Sequence, residues 1–158
     1  MNYKFKTKPY AHQLKALEMS HNKEVFAYFM EMGTGKTKVV IDTMAILYEA
    51  EKLKAVLIIA PKGVYDNWVK GEIPIHLPTR IPRQICRWIP SKTKKFEEEL
   101  TDFIVSKEPF LKIFVMNVEA FSTSRGSLIT RMDSDDIMAP EKLGNKDGNL
   151  PLLQVISR

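Results

Sequence analysis

The chain has 158 residues, of which 44% are hydrophobic and 27% charged, with 24 Lys+Arg against 19 Asp+Glu. That length suits one core, and no apolar run approaches the roughly 18 residues of a membrane span, so no membrane partner is expected. The lone cysteine, Cys86, excludes an internal disulfide and a multi-cysteine zinc site, and reads as a buried structural thiol.

The N-terminal stretch MNYKFKTKPY has charge but no apolar core of a secretory signal, so a cytoplasmic location is expected. Pro9 suits the opening of a helix, and Tyr10, Leu14 and Leu17 then repeat at helical spacing toward His21. EVFAYFM, residues 24–30, is a continuous apolar run rich in aromatic and β-branched residues. It predicts a strand buried on both faces. A glycine loop follows at once, and then Val40, Met44, Leu47 and Tyr48 give the next helix one apolar stripe. AVLIIAP predicts a second buried strand stopped by Pro61, and YDNWVKGEI a short helix. From Pro74 to Pro90 four prolines predict irregular chain broken by a brief strand around RQICRWI. Phe96, Leu100, Phe103 and Ile104 mark a third amphipathic helix, and LKIFVMN a further strand.

Residues 1–125 hold 20 Lys+Arg against 14 Asp+Glu, whereas residues 126–158 hold 4 against 5 and three of the seven glycines. A soft boundary falls near Gly126. Before it strands and helices alternate, which predicts an α/β domain with a parallel sheet, helices on both faces, and ligands at the carboxyl ends of the strands. After it turn formers interrupt short apolar pieces.

The loop MEMGTGKT carries the chemistry. Glycines at 33 and 35 let backbone approach phosphate oxygens, and the following helix N-terminus offers aligned N–H groups to negative charge. Lys36 suits the β- and γ-phosphates as a point charge, and the Thr37 hydroxyl suits Mg²⁺. Met30 stands where G-x-x-x-x-G-K-[ST] has its first glycine, so the match is to the shorter G-x-G-K-T form.

KPYAHQLKALEMS and MEMGTGKT together resemble the first two motifs of superfamily 2 helicases, the SNF2-like translocases in particular. The resemblance implies a RecA-like lobe that takes ATP and Mg²⁺. Gln13 would read adenine, an edge suited to an amide with both donor and acceptor. Met32, Gly33, Thr34, Gly35, Lys36 and Thr37 would form the nucleotide loop, with Lys36 and Thr37 the catalytic candidates. IIAPKGVYDNWVKGEI resembles motif Ia and implies Lys62 and Asn67 along a nucleic-acid backbone, with Trp68 a packing residue. FVMNVEAFST is similar to motif Ib and adds Asn117 and Ser122. The four segments together cover residues 6 to 125, and DNA is the expected nucleic acid.

Hydrolysis needs a Mg²⁺-holding Asp and a group that positions water, normally the D-E pair of motif II. No D-E dipeptide occurs in the chain. The second lobe with its arginine fingers is also missing, and a second chain could supply it. In LITRMDSDDIMAPEKL, Asp133 could stand in for the metal ligand, with Asp135 or Asp136 orienting water. The same stretch resembles the D-x-D segment of family 2 glycosyltransferases, where Asp133 and Asp135 would contact a nucleotide-sugar and its metal. A solvated acidic turn is the plainer alternative. Arg131 argues against residues 128–132 lying as a buried strand beside residues 25–30.

The sequence therefore predicts a partial RecA-like ATP-binding domain over residues 1–125 and a tail over 126–158. The expected function is that of an ATP-binding N-terminal fragment of an SNF2-like helicase or translocase, without hydrolysis on its own. The alternative is a non-catalytic DNA-binding or interaction module with a relic loop.

Overall fold

A computed structural model of the chain describes residues 3–89 and 93–117, and the backbone of residues 152–156. Helix α1 spans Ala11–Ser20 and α2 Lys36–Glu49. Strand β1, Ala55–Ala60, leads into a short α3, Tyr65–Asn67, a π-helical stretch, Trp68–Glu72, and α4, Ile73–His76. Strand β2 is Arg83–Arg87, α5 Lys94–Val105, β3 Leu111–Asn117 and β4 Leu152–Ile156. The strands form one sheet in the order β2-β3-β1-β4, and every pairing is parallel. This is an α/β fold.

The runs AVLIIA and LKIFVMN lack polar alternation because both of their faces are covered. On one face Val56, Ile58 and Ala60 of β1, with Ile113 and Val115 of β3, pack on Ile41, Met44 and Ala45 of α2 and on Trp68 and Ile73. On the other, Ile59, Phe114 and Met116 join Cys86 and the α5 residues Phe96 and Phe103. Period-two alternation thus divides each strand between two cores and places helices on both sides of the sheet. Burying each such aliphatic side chain contributes roughly 1.5–3 kcal/mol. Trp68, 2% exposed, is a core residue. Cys86 is buried too, and burial pushes its thiol up to about 12, which keeps it protonated and unreactive.

Several elements depart from the sequence expectation. Tyr10 is 70% exposed and Leu14 37%, so the buried face of α1 runs instead through Gln13, Leu17 and Ser20. The helical chain continues past Pro74 to His76. The preceding π-helical stretch explains this, because a widened turn relieves the demand that Pro74 place an N–H and a ring where the α-helical pattern has no room for them.

The largest departure is at residues 24–30, which join no ladder of the sheet. Tyr28 bonds Ser20 through its hydroxyl at 2.5 Å, and its ring meets Phe26 edge-on. Val25 and Phe29 face outward, 91% and 98% exposed. The slots on either side of β1 are filled by β3 and β4, and in the apolar run that reads as a doubly covered strand only Tyr28 and Met30 are even half-buried. Residues 128–132 and the Gly126 boundary lie outside the described residues, while β4 falls in the part read as tail.

Residues 3–9 form a strap over α2 and α4. Lys6 Nζ donates to the Pro74 carbonyl at 2.6 Å, Thr7 Oγ1 and His76 Nδ1 lie 2.7 Å apart, and Arg80 donates to the Lys4 carbonyl at 2.8 Å. The strap fixes where α1 begins, and α1 carries Gln13 to the glycine loop.

Candidate phosphate-binding site

Gly33 and Gly35 both take the left-handed conformation, φ 77° and 80°. That region is open to glycine and costly to other residues. Gly35 is the N-cap of α2, and no side chain caps that helix. The first amides of a 14-residue helix therefore point toward the loop with the positive end of its dipole behind them. A loop and helix start of this form can take phosphate oxygens.

Two side chains close on the loop from α1. Gln13 Nε2 donates to the Thr34 carbonyl at 3.0 Å, and His12 Nε2 lies 2.9 Å from the same oxygen. Gln13 Oε1 accepts the Tyr10 N–H at 3.0 Å, so one amide both starts its helix and ties it to the loop. Gln13 is only 5% exposed. A Cβ added at Gly35 would lie 2.3 Å from Gln13 Nε2, whereas one added at Gly33 would meet nothing within 4 Å. A side chain at Gly35 would therefore displace the Gln13 amide as well as strain the backbone.

Lys36 Nζ donates to the carbonyls of Met30 and Glu31, each at 2.8 Å, and Thr34 Oγ1 donates to Glu31 at 2.7 Å. The ammonium is held inside the loop by neutral carbonyls, partners that a phosphate outbids in charge. Thr37 is half-buried in the first turn of α2, and its hydroxyl makes no hydrogen bond among the described residues. Met32 is 95% exposed at the tip.

Beneath the first turn of α2 lies a polar pair that sequence reading missed. Lys38 Nζ contacts Asp42 Oδ2 at 2.5 Å with both side chains buried, and the Phe5 ring covers the ammonium at 5.3 Å. Burial pushes the Asp42 carboxyl above its ordinary value, and the bond to Lys38 opposes that rise. The i,i+4 Lys–Asp spacing was visible in TKVVID, but nothing local says that such a pair is buried. His12 was missed because its role depends on where α1 meets the loop.

Of the remaining predicted site residues, Lys62, Asn67 and Asn117 are described, toward the carboxyl end of the sheet. Asn117 ends β3 opposite Ala60, the last residue of β1, and is 8% exposed. Lys62 follows two residues later and is exposed. Asn67 Nδ2 donates to Glu72 Oε1 at 3.3 Å. Its Oδ1 lies 2.6 Å from where a Cβ on Gly71 would sit, so its side chain is packed into its own helical segment. Ser122, Asp133, Asp135 and Asp136 lie outside the described residues. No group of His, Cys, Asp and Glu able to hold a metal occurs among the described residues, and none of the described helices is long and apolar enough to cross a membrane.

No protein-family model matches the chain, and no curated protein matches it significantly.

Proposed function

We propose that the chain binds Mg²⁺-ATP at residues 33–37 as part of a RecA-like lobe of the SNF2-like superfamily 2 type, and that it acts on nucleic acid. One observation carries the reading: Gly35, Gln13 and Lys36 interlock so that two left-handed glycines, an uncapped helix start and a lysine converge on one small loop.

In this reading Lys36 exchanges its carbonyl partners for the β- and γ-phosphates, and the first amides of α2 take the remaining oxygens. Mg²⁺ would neutralise phosphate charge, with Thr37 as its protein ligand among the described residues. Gln13 keeps one N–H and one lone pair beyond its two protein bonds; being 5% exposed, it would meet an adenine edge only by turning out of its contact with the loop. Lys62 and Asn117 at the carboxyl edge suit a nucleic-acid backbone. With no D-E pair in the sequence, turnover by the chain alone is slow.

Urea unfolding with and without nucleotide tests the proposal. A ligand at about a hundred times its Kd stabilises by roughly 2.7 kcal/mol. Mg²⁺-ATP should raise the midpoint more than Mg²⁺-GTP, and Gln13→Ala should erase that preference. An unchanged midpoint at millimolar Mg²⁺-ATP contradicts it.

A further inference from the structure

Strand β2 ends at Arg87, at the same sheet edge as Lys62 and Asn117 but one strand further out. Its guanidinium does not point idly into solvent. Nη1 pairs with Asp66 Oδ1, and the group lies over the Tyr65 ring at 5.8 Å. Both partners belong to α3, the short helix that opens three residues after Lys62 and is tied to Pro61 by the Val64 and Tyr65 amides. The sheet and α3 therefore bring Arg87 beside the Lys62 loop, although the two residues are 25 positions apart in the chain.

We propose that Arg87 is a further backbone-phosphate contact of this edge, held ready by Asp66 and Tyr65 and passed to nucleic acid when a phosphate takes the place of the Asp66 carboxylate. The inference rests on the nucleic-acid part of the function proposed above. The exchange is feasible because the ion pair is open to water: the Arg87 side chain is 33% exposed and that of Asp66 45%. Pairs of that exposure contribute little, about 1 kcal/mol at most. A backbone phosphodiester presents two non-bridging oxygens to the guanidinium fork with the same single negative charge as the carboxylate, and its neighbours along the strand add attraction that Asp66 lacks. Tyr65 remains in place during the exchange and keeps the guanidinium plane oriented, so little side-chain freedom is lost on binding. The Asp66 carboxylate also gives the edge a threshold, since an isolated phosphate competes with it poorly and a strand carrying several phosphates competes well.

Fluorescence anisotropy of a labelled oligothymidine across a salt series tests this with the full chain, using Arg87→Gln, Asp66→Asn and Lys62→Ala. Arg87→Gln should weaken binding and reduce the salt slope by about 0.7, the share of one single-strand phosphate contact. Asp66→Asn should tighten binding about fivefold by freeing the guanidinium. Near-native circular dichroism is expected for both, because neither side chain is buried. If the wild type binds and Lys62→Ala weakens it while Arg87→Gln does not, Arg87 is no contact and the inference is overturned alone. Weaker binding by Asp66→Asn also overturns it. If the wild type does not bind at low salt, the nucleic-acid reading itself fails.

Discussion

Replacing Gly35 by alanine separates conformation from contact in the loop. At both Gly33 and Gly35 an alanine must hold a left-handed backbone, φ 77° and 80°, at a cost of roughly 1–2 kcal/mol. At Gly33 the new methyl enters open space, and that strain is the whole cost. At Gly35 the methyl would sit 2.3 Å from Gln13 Nε2, so the amide must leave. It then loses its bond to the Thr34 carbonyl, about 1 kcal/mol, and its buried position gives it no water in exchange. Gly35→Ala should therefore destabilise by about 1 kcal/mol more than Gly33→Ala. In a Gln13→Ala background the two should become equal. Urea unfolding of the single and double variants measures this as a coupling energy near 1 kcal/mol. Equal costs in the wild-type background, or no coupling with Gln13, would refute the interlock.

Phe29→Lys should change stability by less than about 0.5 kcal/mol in urea unfolding, because a side chain 98% exposed has no burial to lose; a loss of about 3 kcal/mol or more would mean that residues 24–30 are covered as the sequence implied. Asp42→Ala should cost about 3–5 kcal/mol by stranding the buried Lys38 ammonium, while Lys38→Met with Asp42→Leu should recover most of that loss in thermal melts. Burial, the largest influence, lowers His76 below 6.5, so its neutral form is favoured in the folded chain. Its stabilising contribution is present above pH 6.5 and is lost as pH falls through the lowered value, and His76→Gln should flatten urea midpoints across that acid window.

Elements that bury a regular stripe were legible in the sequence. The α5 residues Phe96, Leu100, Phe103 and Ile104 share one face, and Thr93 caps the helix by accepting the Phe96 N–H. The runs at β1 and β3 likewise had only one sensible conformation. Residues 24–30 were not legible in the same way, because composition reports that a segment is apolar and cannot report which neighbours arrive to cover it. Pro74 misled for a local reason, since the π-helical stretch that accommodates it has no sequence signature. At the site, the glycines, Lys36 and Gln13 were found from motif order. His12, the buried Lys38–Asp42 pair and the strap through Thr7 and His76 depend on contacts between distant segments.

Isothermal titration of Mg²⁺-ATP into the wild type and Lys36→Ala tests the central claim most directly. The wild type should bind one nucleotide. Lys36→Ala, which removes the ammonium now held by the Met30 and Glu31 carbonyls, should weaken binding by about tenfold or more. Equal affinity in the two proteins, or no heat from either, would contradict a phosphate site at this loop.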